Sequence, residues 1–230
     1  MNEIIASSAY FGVFLSLGCY MIGQKIRQKT GFAAANPLLI AVLLVMLLLR
    51  VFGIDYAAYH QSSKLLSALL TPATICLAVP LYEHLALLKK HRNAILAGIF
   101  SGVITSLVVV FVLCLVFRLD HQAYVTLLPK SITSAIGMGI SEELGGYVSI
   151  TVAVIIMTGI LGNVTAEAVC RLCKITEPIA RGVAIGTSSH AIGTARAMEL
   201  GQIEGAMSSL SIVVSGLLTV VGASVFAGFL

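Results

Sequence analysis

The sequence predicts an all-α polytopic membrane protein, with about six spanning helices plus two Gly/Ser/Thr-rich re-entrant or broken-helix segments in an inverted repeat. Three observations carry that expectation. First, 58% of the residues are hydrophobic and only 10% are charged, with a mean hydropathy of +1.02. A soluble domain is usually about a quarter charged. Second, the apolar runs are continuous rather than alternating, and several approach the roughly 20 residues that a helix needs to cross the hydrocarbon core. Third, the basic residues gather in short segments between runs, the pattern that sets membrane orientation.

The runs predict spans over Ile4–Gly23, Pro37–Phe52, Leu65–Leu81, Ala94–Phe117, Val148–Cys170 and Ala206–Phe229. The opening "MNE" has no basic character and no cleavage signal follows, so the first run is expected to stay as a helix. Asn36-Pro37 reads as an N-cap followed by proline at the first helical position. Pro72 and Pro80 in "LLTPATICLAVPLY" should break the third span, since proline removes a helix hydrogen bond. "GIFSG" (98–102), "TGILG" (158–162) and "GVAIG" (182–186) are small-residue patterns that let helices approach closely.

Two segments, 127–146 and 182–202, are semi-apolar and make poor lipid-facing helices. Lys25, Arg27 and Lys29 follow the first run, Lys89, Lys90 and Arg92 the third, and Arg171, Lys174 and Arg181 the fifth. The positive-inside rule assigns all three groups to the cytoplasm. An odd number of crossings must then separate the outer segment 118–126 from 171–181. The fifth run supplies one, so 127–146 should dip in from outside and return. By the same logic 182–202 dips in from the cytoplasm. Full crossing by both is the alternative, and would place Arg171, Lys174 and Arg181 outside.

"SAIGMGISEELGG" (134–146) aligns with "HAIGTARAMELGQ" (190–202) at an offset of 56, with Ala135/Ala191, Ile136/Ile192, Gly137/Gly193, Glu143/Glu199, Leu144/Leu200 and Gly145/Gly201 identical. One hairpin plus one crossing per copy inverts the second copy, as in many secondary transporters. The domain reading is residues 1–125 as N-terminal scaffold helices and 126–230 as a core of two inverted hairpin-plus-helix repeats (127–173 and 182–230). Together they form a single integrated membrane domain.

The polar residues inside these segments are the candidate site. Arginine at the bilayer centre costs about 2.5–3.5 kcal/mol on insertion scales, so Arg196 must face a partner or a wet cavity. Its guanidinium fork suits a substrate carboxylate, or an internal pair with Glu199 or Glu143. His190 reads either as a proton carrier and substrate donor or as a buried histidine bonded to a carbonyl. In "LPKSITS" (128–134), Pro129 punctuates a helix, and Ser131, Thr133 and Ser134 are apt caps for a helix N-terminus that favours anions. "GTSSH" (186–190) repeats that chemistry with Ser189, and Thr194 lies one turn beyond His190. Lys130 adds positive charge to the site or sits at the outer surface. Glu142, Glu143 and Glu199 are candidates for proton coupling, with ion pairing or exposure as the alternative. For Glu204 the expectation is pairing with a base or exposure.

Other classes fit poorly. The five cysteines lie mostly in or near apolar runs, and "CRLC" (170–173) lacks a second metal-ligating pair, so packing is the expected role. No metal or cofactor is expected beyond coupling to protons or another cation. The absence of GxSxG and HExxH signatures argues against an enzyme. The modest net charge of +4 gives no reason to expect a nucleic-acid partner.

From about residue 36 to the end the chain also resembles the LrgB/CidB family of bacterial inner-membrane proteins. The residues that carry the resemblance are "NPLLIA" (36–41), "LAVPLYE" (77–83), "LPKSIT" (128–133), "EELGG" (142–146), "TGILG" (158–162), "ARG" (180–182), "SHAIGTARA" (189–197) and "EGAMSSL" (204–210). Val79 stands where the family often has Tyr, and Ser188 where it often has Ala. The resemblance implies a multi-pass protein of the bacterial cytoplasmic membrane. It also implies a holin- or antiholin-like role in controlling murein hydrolase activity and cell lysis, or transport of small carboxylates. The similar plant plastid-envelope protein moves glycolate and glycerate, and bacterial relatives are linked to pyruvate. A smaller LrgA/CidA-type membrane partner and self-association are implied as well. The family motif falls on Lys130, Ser131, Thr133, Ser189, His190, Thr194 and Arg196. The combined expectation is a secondary transporter or facilitator of small monocarboxylates, with lysis regulation as the alternative.

Overall fold

The computed structural model describes residues 8, 10–30, 36–76 and 78–230, and these are helical with no strands. The chain divides into two compact units, Met1–Cys76 and Leu77–Leu230. In the first unit, helix α1 (Phe11–Thr30) packs on α2 (Pro37–Val51), and three short helices follow: α3 (Tyr56–Ser62), α4 (Lys64–Ala68) and α5 (Leu70–Cys76). The start of the expected first span, residues 4–7 and 9, lies outside the described residues. Its described part begins at Phe11 and continues past Gly23 to Thr30, because Gln24–Gln28 are good helix formers. Asn36 caps α2 as expected, its Oδ1 accepting from the Leu38 and Leu39 N–H groups. At 15 residues, α2 spans only about 22 Å, short of the roughly 30 Å hydrocarbon core. The expected third span, Leu65–Leu81, is not one helix but falls into α4, α5 and α6 (Ala78–Glu83), with a proline in each of the last two.

The second unit continues with α7 (Leu85–Val116), α8 (His121–Leu127), α9 (Ser134–Glu143), α10 (Val148–Leu172), α11 (Pro178–Leu200) and α12 (Gln202–Ala227). Among the described residues, α7, α10 and α12 are long and apolar enough to cross a membrane. Their outward faces remain apolar: Val213, Leu217 and Val221 on α12 are 59%, 66% and 68% exposed. Stripes of this kind mark a surface made for lipid or partner helices rather than water. The chain is a membrane protein. The expected fourth span starts nine residues early, at Leu85, so Lys89, Lys90 and Arg92 ride on the helix rather than in a loop. No glycine or proline intervenes to stop it, and it only kinks at His91 (φ −109°, ψ 15°).

The core of this unit is built around two hairpins. In the first, α8 runs in and stops at Pro129. After a short turn α9 runs back. Three contacts zip the arms to each other and to the start of α10: Gln122 Nε2 donates to the Gly145 carbonyl, the Tyr147 N–H to Thr126 Oγ1, and Thr151 Oγ1 to the Thr126 carbonyl. The second hairpin is α11 itself. At His190 the backbone takes φ 41°, ψ −142°, and the helix folds back. Its first arm runs parallel to α12, with Gly182 against Glu204 and Gly186 against Ser208. Its second runs antiparallel, with Met198 against Gly205 and Thr194 Oγ1 bonded to Ser208 Oγ at 2.7 Å.

The local cause of the bend is legible. The Thr187 and Ser188 hydroxyls bond back to the Val183 and Ala184 carbonyls, a substitution for backbone bonding that loosens a helix. Gly193, three residues past the bend, has no side chain to hold the returning arm off Ile185 and Ser189.

The two hairpins reach in from opposite ends of α12. The base of the second lies at Gly201–Gly205. The base of the first is tied to the far end, where the Tyr124 hydroxyl donates to the Phe226 carbonyl at 2.8 Å. Tyr124, Val125, Leu128 and Ile132 are fully buried and join Leu107, Val110 and Met207 in the main hydrophobic core.

Candidate functional site

The tips of the two hairpins face one cavity of about 930 Å³. Lys130 and Ser131 come from the first tip, Ser188 and Ser189 from the second. α7 supplies one wall, with Ser101, Thr105 and Ser106 alongside Gly98 and Gly102, and α10 supplies Thr158, Gly162 and Thr165. His91, Glu177, Ile179 and Ala180 lie at the end nearest the base of the second hairpin. The missing side chains matter here. A Cβ on Gly162 would stand 2.5 Å from Ser189 Cβ, and one on Gly159 would stand 2.6 Å from His190 Cε1. "TGILG" is thus the seat of the second tip.

The hydroxyls are organised. Lys130 Nζ donates to Ser131 Oγ at 3.0 Å, and Ser131 Oγ is hydrogen-bonded to Ser106 Oγ at 2.9 Å, which fastens the first tip to α7. Ser188 and Ser189 share a hydrogen bond of 3.0 Å. Among the described residues, no carboxylate lies within ion-pair distance of Lys130. Lys130 is half-buried and lines the cavity.

The other sequence candidates are placed elsewhere. His190 is buried behind the tip, its Nε2 at 2.9 Å from the Ile155 carbonyl oxygen, and Thr194 Oγ1 donates to the His190 carbonyl. Thr133 occupies the N-cap of α9 without a side-chain capping bond. Ser131, also expected to cap, is engaged by Ser106 and Lys130 instead. Neither Thr133 nor Ser134 lines the cavity.

Arg196 sits on the second arm, away from the cavity. Its Nη1 contacts Glu199 at 2.5 Å and its Nη2 contacts Glu167 at 2.6 Å. Glu142 and Glu143 are exposed at the base of the first hairpin. Glu204, expected to be exposed or paired, is buried and contacts Arg181 at 3.5 Å.

Sequence reasoning missed the α7 wall and Glu167. "GIFSG" reads as a packing motif, and it is one: Gly98 and Gly102 abut Val183 and Thr187. The additional signal was the run of hydroxyls at 101, 105 and 106 in an otherwise apolar helix. Glu167 carried no signal, because only the fold brings α10 alongside Arg196. Among the described residues, no cluster of His, Cys, Asp and Glu could hold a metal ion.

Comparison with known proteins bears on this arrangement. The model of the LrgB-like family matches residues 16–229. The chain is 35% identical over 219 residues to a protein named holin-like protein CidB from Staphylococcus epidermidis, covering 95% of each. It is 36% identical over 220 residues to one named antiholin-like protein LrgB from Bacillus subtilis, again covering 95% of each. An antiholin-like protein LrgB from Bacillus cereus is 36% identical over 222 residues, covering 96% of each. No solved structure matches the chain.

Proposed function

The chain belongs to the LrgB-like family, and from that premise we propose that it is a holin/antiholin-like regulator of membrane permeability, acting on murein hydrolase activity and cell lysis. Its place is the bacterial cytoplasmic membrane, as a multi-pass protein. It works without enzymatic chemistry, alongside a smaller LrgA/CidA-type membrane protein and further copies of itself. The names of its relatives favour this reading. The observation that carries it is that both hairpin tips line one hydroxyl-rich cavity.

In this reading 127–173 and 182–230 are inverted repeats, each a re-entrant hairpin followed by a crossing. Support comes from the entry of the hairpins at opposite ends of α12. Irregular backbone at membrane depth is tolerated where it lines a cavity, and both tips do so.

A second reading has its own observation. A cavity of about 930 Å³ with paired serines at the tip of the second hairpin suits a selective carrier of small monocarboxylates such as pyruvate or glycolate, coupled to protons or another cation. Proteoliposomes separate the two. Release of small entrapped solutes that does not saturate and is cut off by size supports the permeability reading. Saturable uptake of labelled pyruvate or glycolate without dye release replaces it with the carrier. If neither flux exceeds that of empty liposomes, both readings fail.

A further inference from the structure

The cationic side chains of the second unit differ in one respect that the family reading leaves unused. Arg196 is neutralised by Glu167 and Glu199, and Arg181 contacts Glu204. Among the described residues that line the cavity, Lys130 is the one that brings a positive charge to the hairpin tips. It is half-buried and tethered by Ser131, and no carboxylate of the described residues stands within ion-pair distance. Among the described residues, the one acidic group lining the cavity, Glu177, is exposed at the opposite end, beside Pro178 at the base of the second hairpin. Between these ends the walls are hydroxyl, glycine and aliphatic, which leaves the potential at the tips dominated by one ammonium.

We infer that Lys130 sets the charge selectivity of the cavity, drawing monoanions to the hairpin tips and repelling cations. A single charge suffices because the glycine- and aliphatic-lined walls of the cavity screen it less than bulk water would. The tether matters as much as the charge. The Lys130–Ser131–Ser106 chain fixes the ammonium against α7 and keeps it from folding away to an interface. The inference deepens the proposed function and rests on its premise that solutes enter this cavity.

The test uses cysteine reporters on α7 in the full chain with its five native cysteines replaced. Thr105→Cys lies next to Ser106, which is bonded to the first tip through Ser131. Ser101→Cys lies four residues, or about 6 Å along the helix, further from the first tip, toward His91. Each reporter is labelled in membranes with neutral, anionic and cationic methanethiosulfonates, and rates are divided by those for free 2-mercaptoethanol. With Lys130 in place, the anionic reagent should be favoured over the cationic one on the order of tenfold at Thr105→Cys, and less at Ser101→Cys.

Lys130→Arg should keep the preference, Lys130→Gln should remove it, and Lys130→Glu should reverse it. The gradient between the two reporters needs no change at Lys130, so it decides the matter even where a variant fails to fold. A normal rate with the neutral reagent, combined with no charge preference at Thr105→Cys, overturns the inference while leaving the path intact. No labelling by the neutral reagent at either reporter removes the path itself, and the inference with it.

Discussion

Gly162→Ala should be among the most damaging conservative changes in the second unit. The added Cβ would stand 2.5 Å from Ser189 Cβ, against a comfortable carbon–carbon separation of about 3.5–4.0 Å. A rotamer change in Ser189 moves its hydroxyl but not its Cβ, so the second tip must retreat from α10 by about 1 Å. The retreat strains the bond from His190 Nε2 to the Ile155 carbonyl, and that from Asn163 Nδ2 to the Ile192 carbonyl, both of which pin the tip to α10. Overpacking costs about 1–3 kcal/mol and a compromised buried hydrogen bond about 1–3 kcal/mol. A loss of roughly 2–5 kcal/mol lowers Tm in detergent by about 5–15 °C. Pairing the change with Ser189→Gly removes the obstructing atoms and should recover part of the loss, with a coupling of about 1–3 kcal/mol. Should Gly162→Ala melt with the wild type, or the double variant show plain additivity, the seating of the tip on "TGILG" is refuted.

Three further outcomes are expected. His190→Gly should be at least as stable as His190→Ala. Both lose the Ile155 bond, but only glycine accepts φ 41° without strain worth about 1–3 kcal/mol. The order reverses the usual helical preference for alanine, and a more stable alanine variant would contradict it. Arg196→Gln should cost about 1 kcal/mol or less, because Glu167 and Glu199 are about half exposed and remain solvated; a melt lowered by 10 °C or more would count against this placement. Membrane-impermeant maleimide should modify Cys173 and spare Cys170 in the folded chain, read by peptide mapping. Labelling of Cys173 in inside-out vesicles but not in intact cells is the outcome the hairpin topology requires.

Much of the architecture was legible in the chain because membranes impose strong local rules. The apolar run of α10 could be read to within two residues, and that of α12 to within four, since a span is a property of composition over a window. The segments 127–146 and 182–202 stood out by the opposite property, too many small and polar residues to face lipid. Each folds back on itself, the first at the turn after Leu128 and the second at His190. The misreadings fell where local rules compete. The Lys89–Arg92 cluster marks a membrane edge, yet lysine and arginine are good helix formers, and α7 ran through it. Thr133 and Ser131 are both good caps, but a hydroxyl bonds whichever partner the fold presents, and Ser131 was presented with Ser106.

By itself the sequence determined the class, the apolar spans of α7, α10 and α12, and the two polar segments with their shared pattern. Each of these follows from one stretch of chain meeting one solvent. Only the tertiary structure decided what the polar side chains do, because a charge in a membrane takes its meaning from its neighbours. Arg196 looked like the anion-binding group until α10 brought Glu167 beside it from 29 residues away. Lys130 could serve the site or the outer surface until the hairpin placed it, without a carboxylate among the described residues at ion-pair distance, in the lining of the cavity where both tips meet.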